Sequence, residues 1–158
     1  THKIEFLWRI HRVHHSDTEM DVSTAIRFHP IEIALSMALK IGLVYALGAD
    51  PLSILIFEIL LNGSSMFNHA NINIPNGIDK IIRFVIVTPD MHRIHHSSNR
   101  IEHDTNFGFA LSIWDHMFQT YKSRPERDHK EMEIGLNWQD EKPQELGWSL
   151  GLPFKKNG

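Results

Sequence analysis

Two stretches of this chain are apolar at nearly every position, and the rest is patterned differently. From Ile31 to Leu47 the run IEIALSMALKIGLVYAL holds only Glu32 and Lys40 as charges; after GAD and Pro51, the run LSILIFEILL holds only Glu58. Such all-round apolar segments read as two helices joined by a tight reversal, with Asp50 and Pro51 as N-cap and first helical residue of the second. At 1.5 Å per residue the first run reaches roughly 26 Å, slightly short of a bilayer's hydrocarbon thickness. Length therefore leaves two options open, a membrane hairpin and the core of a soluble bundle. The link between the helices has no Lys or Arg, whereas Arg27 lies before the pair and Lys80 and Arg83 lie after it. This asymmetry favours a membrane hairpin with both ends in the cytoplasm.

Around the hairpin the pattern is amphipathic or irregular. Residues 1–30 are polar and basic, with a helix through FLWRIHRVHH and a turn over Asp17 to Asp21. NGSSMFNHANINIPNG reads as a loop or short helix, IDKIIRFVIVT as a helix stopping at Pro89, and Asp90 as the cap of a following helix through MHRIHH. TNFGFALSIWDHMFQTY reads as one more amphipathic helix, and from Arg124 onward charged residues with scattered Pro and Gly read as a soluble tail. The expected architecture is all-α: a membrane helical hairpin plus a cytosolic helical cap over residues 1–121, then a C-terminal tail over 122–158. The chain opens at Thr1 with no signal-peptide pattern, and it reads as a fragment of a longer protein.

Composition narrows the chemistry. A net charge of -3 with mixed signs lacks the basic footprint of a nucleic-acid partner. With no cysteine, a transition metal has only nitrogen and oxygen donors. Twelve histidines are the anomaly, and six of them form a repeat: His11 to Ser16 reads HRVHHS and His92 to Ser97 reads HRIHHS. On a helix, His11, His14 and His15 stand at i, i+3 and i+4, as do His92, His95 and His96, so each triplet is expected to project from one face. Packing has no use for two matching polar clusters, and their repulsion on protonation would destabilise the fold, so metal binding is the simplest resolution. A structural zinc is saturated by four ligands, and the H-E-x-x-H arrangement is absent, with Arg12 and Arg93 where its Glu would stand. A nitrogen-rich site for two ions fits better, and imidazole suits iron, copper, zinc and nickel alike. His116 and His129 read as ordinary surface histidines. Metal-bound imidazoles usually donate their other N–H to an acceptor, and Asp17, Asp90, Glu102 and Asp104 lie close to the histidines in sequence; helix capping or a solvated charge explains each equally well.

The segments LWRIHRVHHSDTEMDVSTAIRFHPIE, TPDMHRIHHSS and NFGFALSIWDHMFQTY together resemble the fatty acid hydroxylase/sterol desaturase superfamily, whose histidine boxes surround a dinuclear iron site. The resemblance covers roughly Thr1 to Tyr121, and the RFHP variant is similar to bacterial members. It implies that His11, His14 and His15 form the second box and His92, His95 and His96 the third. His2 stands where the last histidine of the first box belongs; that box's other histidine would fall before Thr1, along with upstream membrane helices, leaving the site incomplete. His69 matches a further histidine of the family. Where some members have one more, this chain has Asn73, which is left as an oxygen ligand, direct or through water, or as no ligand. His29 is expected to be a lid or structural residue and His103 to face solvent.

The resemblance further implies two iron ions, with zinc a possible substitute in a purified sample, and O2 as cosubstrate. It also implies a lipid substrate (sterol, fatty acyl or related) that is hydroxylated or desaturated. No dinucleotide or haem-attachment motif is present in the sequence, so electrons are expected from a separate donor such as a cytochrome b5 or ferredoxin. The expected location is a membrane, with the boxes on the cytoplasmic side, most simply a bacterial inner membrane. Two alternatives use the same histidines: a non-catalytic membrane metal-binding protein and a zinc-dependent hydrolase.

Overall fold

A computed structural model of the chain describes residues 1–138 and 142–156. It is all-helical: among the described residues there are no β-strands, only isolated antiparallel bridges at Ile86–Leu111 and Ser97–Ile134. The order is α1 (Glu5–His15), a 3-10 turn (Val22–Ile26), α2 (Pro30–Leu47), α3 (Pro51–Asn68), α4 (Asn76–Ile82), α5 (Pro89–His95), α6 (Arg100–His103), α7 (Ile113–Phe118), α8 (Leu146–Gly151) and a 3-10 turn (Leu152–Phe154).

The hairpin forms as its sequence dictates. His29 caps α2, its Nδ1 accepting from the Ile31 N–H at 3.2 Å, and Pro30 occupies the first turn; Gly48 ends the helix in the left-handed region at φ 62°. Asp50 accepts from the N–H groups of Leu52 and Ser53 at 3.0 and 3.1 Å to start α3. Across the seam, Lys40 Nζ donates to Glu58 Oε1 at 2.7 Å. No residue of α2 is buried, and in α3 only Ser65 and Asn68 are, so within this chain the apolar runs do not form a soluble core. Helix α2 is long and apolar enough to cross a membrane. An unpartnered apolar surface of this extent is unstable in water and matches lipid.

Four expectations need correction. The segment NGSSMFN, read as a loop or short helix, is the last two turns of α3: the helix packs on the Val22–Ile26 turn and α5, and buried Asn68 donates to Phe109 O at 2.7 Å, which outweighs the weak propensity of Gly63 and Asn62. The helix over IDKIIRFVIVT ends at Ile82. The β-branched stretch beyond it pairs instead, with the Val87 N–H donating to Ala110 O at 3.0 Å and the Ser112 N–H to Val85 O at 3.1 Å. Asp90 does not cap α5: Thr88 is the N-cap and Pro89 the first helical residue, since proline's fixed φ suits that place. Finally, TNFGFALSIWDHMFQTY is helical only over α7. Buried Asp115 holds the preceding residues as a loop by accepting from the N–H groups of Phe107 and Gly108 and from Thr120 Oγ1, at 2.7, 2.8 and 2.6 Å. Gly108 is required there, because a Cβ would come within 2.7 Å of both Asp115 Oδ2 and Leu111 O.

The C-terminal segment packs on α1. Val13, Leu136, Trp148 and Leu152 form an apolar cluster with Trp8 at its edge. The buried Arg12 guanidinium donates to the carbonyls of Leu152 and Lys155, and Arg27 donates to that of Pro143. Of the expected tail, residues 139–141 and 157–158 lie outside the described residues.

Candidate metal centre

The two histidine triplets face each other across the cap, on α1 and at the C-terminal end of α5, joined by His2 from the N-terminal segment and His69 from the end of α3. Their donor nitrogens sort into two quartets, His2, His11, His15 and His95 in one and His14, His69, His92 and His96 in the other, each with all donors within 4.8 Å of one another. Each triplet does project from one face of its helix, but its three rings divide between the two quartets. At 100° per residue, positions i and i+4 are about 40° apart and i+3 lies about 60° to the other side. So His11 and His15 share one quartet while His14 joins the other, and His92 and His96 share the second while His95 crosses to the first. Between the quartets the rings of His15 and His96 stack at 4.4 Å.

The donor chemistry fits metal. The Nε2 atom of His69 lies 3.1 Å from Nε2 of His14 and 3.1 Å from Nε2 of His92. With the His69 proton on Nδ1, which donates to Ser65 O at 2.7 Å, its Nε2 is a lone pair facing two other ring nitrogens. Ligands about 2.0 to 2.1 Å from one ion stand about 3.3 Å apart when tetrahedral, close to this spacing. Both ring nitrogens of His15 and of His96, and Nδ1 of His92, are buried with no hydrogen-bond partner among the described residues. Orphaned buried nitrogens on this scale are destabilising unless something other than a proton occupies them.

Burial favours the neutral form of seven of these imidazoles, the form that metal ligation requires. Burial, reinforced by neighbouring histidines, holds His2, His14, His15, His92 and His96 well below the ordinary value of 6.5. Burial likewise pushes His95 down to about 3 and His69 down to about 4.

The groups that orient these rings are mostly not the acids expected from sequence. His11 Nδ1 donates to Glu32 Oε1 at 2.7 Å, His95 Nδ1 to Thr105 O at 2.8 Å, and His69 to Ser65 O. Each bond leaves Nε2 free to face the centre. Glu32, a charge in the first turn of the apolar hairpin, was legible only as an interruption of an apolar run. His103 does not face solvent: it is buried, its Nε2 lies 3.2 Å from His2 Nδ1, and its ring packs on Trp8 at 4.5 Å. Burial lowers its pKa to about 4.

Of the five polar candidates, only Asp104 adjoins the centre, in a third donor group with His2 and His103, while it accepts from Lys3 Nζ at 2.8 Å. Asp17 is buried and accepts from Thr24 Oγ1 at 2.7 Å, bracing the turn after α1. Glu102 accepts from Ser97 Oγ at 2.7 Å and from the Glu126 N–H at 2.6 Å. Asp90 is half-buried at the start of α5, and Asn73 is exposed. His29 is structural, its Nε2 facing Leu150 O at 3.2 Å; His116 is exposed against Tyr121, and His129 lies in the C-terminal segment.

Two clefts flank α1. A cleft of about 760 Å³ opens from the quartets along the seam of α2 and α3, with Phe28, Ile33, Met37, Leu61 and Phe109 among its walls. Phe28 stacks on His14 at 4.6 Å. A second cleft, of about 410 Å³, lies between α1 and the C-terminal segment.

A sequence profile described as Fatty acid hydroxylase matches residues 1–120. The chain belongs to the fatty acid hydroxylase family. Both quartets fall inside the matched region of this hydroxylase-family chain. Curated relatives include ornithine lipid hydroxylase OlsE of Rhizobium tropici, 33% identical over 120 residues that cover 75% of this chain and 35% of that protein. Alkylglycerol monooxygenase of Homo sapiens is 28% identical over 126 residues, covering 80% of this chain and 27% of that protein. The same enzyme of Caenorhabditis elegans is 29% identical over 129 residues, covering 80% and 24%. The chain thus spans about a quarter to a third of the length of these relatives. No solved structure matches it.

Proposed function

We propose that this chain forms the oxygen-activating part of a membrane-bound lipid oxygenase. His2, His11, His15 and His95 would hold one iron ion and His14, His69, His92 and His96 a second, with zinc able to substitute in a purified sample. Two ions so held supply O2 activation with externally delivered electrons, which hydroxylates or desaturates an unactivated C–H bond. The chain's own work is positional. Glu32 and the carbonyls of Ser65 and Thr105 fix ring tautomers. Burial keeps the rings unprotonated, and the hairpin walls exclude water and hold an apolar chain beside the quartets.

The observation that carries this reading is the opening of both quartets onto an apolar cleft on the hairpin side. A metal-storage protein has no use for such a cleft, and a zinc hydrolase has no use for two four-imidazole sites. The named relatives act on an ornithine lipid and on alkylglycerols, lipids with a polar end and a long chain, and we propose that class of substrate here. In this reading the hairpin spans the membrane, the quartets sit at its cytoplasmic surface, most simply that of a bacterial inner membrane, and a cytochrome b5 or ferredoxin supplies electrons. Residues 1–121 carry the chemistry, and the described part of 122–158 braces α1. The test is anaerobic loading with ferrous iron in lipid nanodiscs, followed by metal analysis, O2 uptake and mass spectrometry of added alkylglycerol and ornithine lipids. Two irons per chain with a lipid product 16 mass units heavier, or 2 lighter, supports the proposal; one ion or none, or O2 uptake without a changed lipid, refutes it.

A further inference from the structure

The cleft on the outer side of α1 shares no lining residue with the apolar cleft and none with the hairpin. It opens along Glu5, Trp8, Arg9 and Arg12, spaced i, i+3, i+4 and i+7 on one face of α1. Its rim is basic in a chain whose net charge is -3. Among the described residues Arg9, Arg12, Arg100, Lys155 and Lys156 line it, with Glu5 as the only acid. Arg12 is committed to carbonyls of the C-terminal segment; Arg100 is 76% exposed with Asp104 3.9 Å away, and Lys155 is exposed with its Nζ 4.8 Å over the Trp148 ring. The floor is aromatic. Trp8 and His103 pack at 4.5 Å, His103 lies 3.2 Å from His2 nitrogen to nitrogen, and Trp8 lies 5.1 and 5.5 Å from the rings of His2 and His15. One cleft thus offers lipid a route to the quartets, and the other brings a water-facing, positively charged surface within one side chain of them.

Resting on the oxygenase reading above, we propose that this basic cleft is the docking site of a small acidic one-electron carrier and that Trp8 and His103 pass its electrons to the histidine centre. Each docking oxidises the carrier by one electron and reduces the centre by one. Two dockings supply the two electrons that, with two protons and O2, convert a C–H bond to C–OH and release one water. Charge complementarity suits a partner that must arrive fast and leave, and electron-transfer encounters bury little surface, so a shallow cleft suffices.

The test uses the iron-loaded chain in nanodiscs with an acidic plant-type ferredoxin as probe. Ferredoxin affinity for wild type is expected to be strong at low salt and to weaken steeply as salt rises. The double variant Arg100→Glu/Lys155→Glu is expected to bind at least tenfold more weakly at low salt, with reduction by ferredoxin slowed in step and reduction by dithionite unchanged. Trp8→Leu is expected to slow ferredoxin-driven reduction at saturating ferredoxin, with Trp8→Phe restoring it. Equal affinity in the double variant, binding indifferent to salt, or no binding by wild type overturns the docking site. Reduction at the wild-type rate in Trp8→Leu overturns the route. Metal content and reducibility by dithionite report on the oxygenase reading separately: a chain that holds no iron refutes that reading, whereas an iron-loaded chain that fails only with ferredoxin refutes this one.

Discussion

At the residue scale, the splitting of each triplet between quartets makes substitutions separable. His14→Ala and His95→Ala each delete one ligand from a different quartet, so each is expected to lower iron toward one per chain and to abolish lipid oxidation. His129→Ala is expected to retain both; metal analysis beside product assays decides. Glu32→Gln leaves the quartets intact but removes the carboxylate that orients His11, and iron affinity is expected to fall about 10- to 100-fold by chelator competition. Gln119 ends α7 in the left-handed region at φ 59°, where a residue without a Cβ is under no strain. Gln119→Gly should therefore stabilise the chain by about 1 kcal/mol, seen as a raised thermal midpoint. That the structure brings eight histidines together was anticipated from local spacing and resemblance. Glu32 and His103 were not, because each becomes relevant only through a partner distant in sequence, His11 for one and His2 for the other.

At the element scale, the seam of the hairpin holds one ion pair, Lys40 with Glu58, and Asn62 Nδ2 donates to the Glu58 carbonyl at 2.7 Å. Removing either partner leaves an unpaired charge among apolar side chains, which is more damaging than removing both. Lys40→Leu and Glu58→Leu are each expected to lower the thermal midpoint in detergent more than the double variant does. The hairpin was legible from its all-round apolar runs and its Asp50 and Gly48 boundaries. The ends of α3 and α4 and the shortness of α7 were not, since there long-range contacts outweigh local preference: buried Ser65 and Asn68, the Val87 N–H on Ala110 O, and Asp115 on the N–H groups of Phe107 and Gly108.

At the scale of the whole molecule, packing so many imidazoles together makes the metal-free fold sensitive to acid. In the folded chain His69 and His103 sit at about 4 and His95 at about 3, against an ordinary 6.5. Between those values the unfolded chain binds more protons than the folded one, so stability rises with pH there. The full contribution is present above about 6.5 and is lost progressively as pH falls toward 4 and then 3. The thermal midpoint of the metal-free chain is expected to be lower at pH 5.5 than at pH 7.5, and iron loading to shift in the same sense because protons compete for the same nitrogens.

The sequence alone determined the helical hairpin, the two histidine triplets and the family, because each is written in short-range spacing. Only the tertiary structure decided which imidazole joins which quartet, that Glu32 and His103 contact them, and that separate apolar and basic clefts meet the centre from different sides. Those features depend on the relative placement of helices far apart in the chain, which no local pattern of residues encodes.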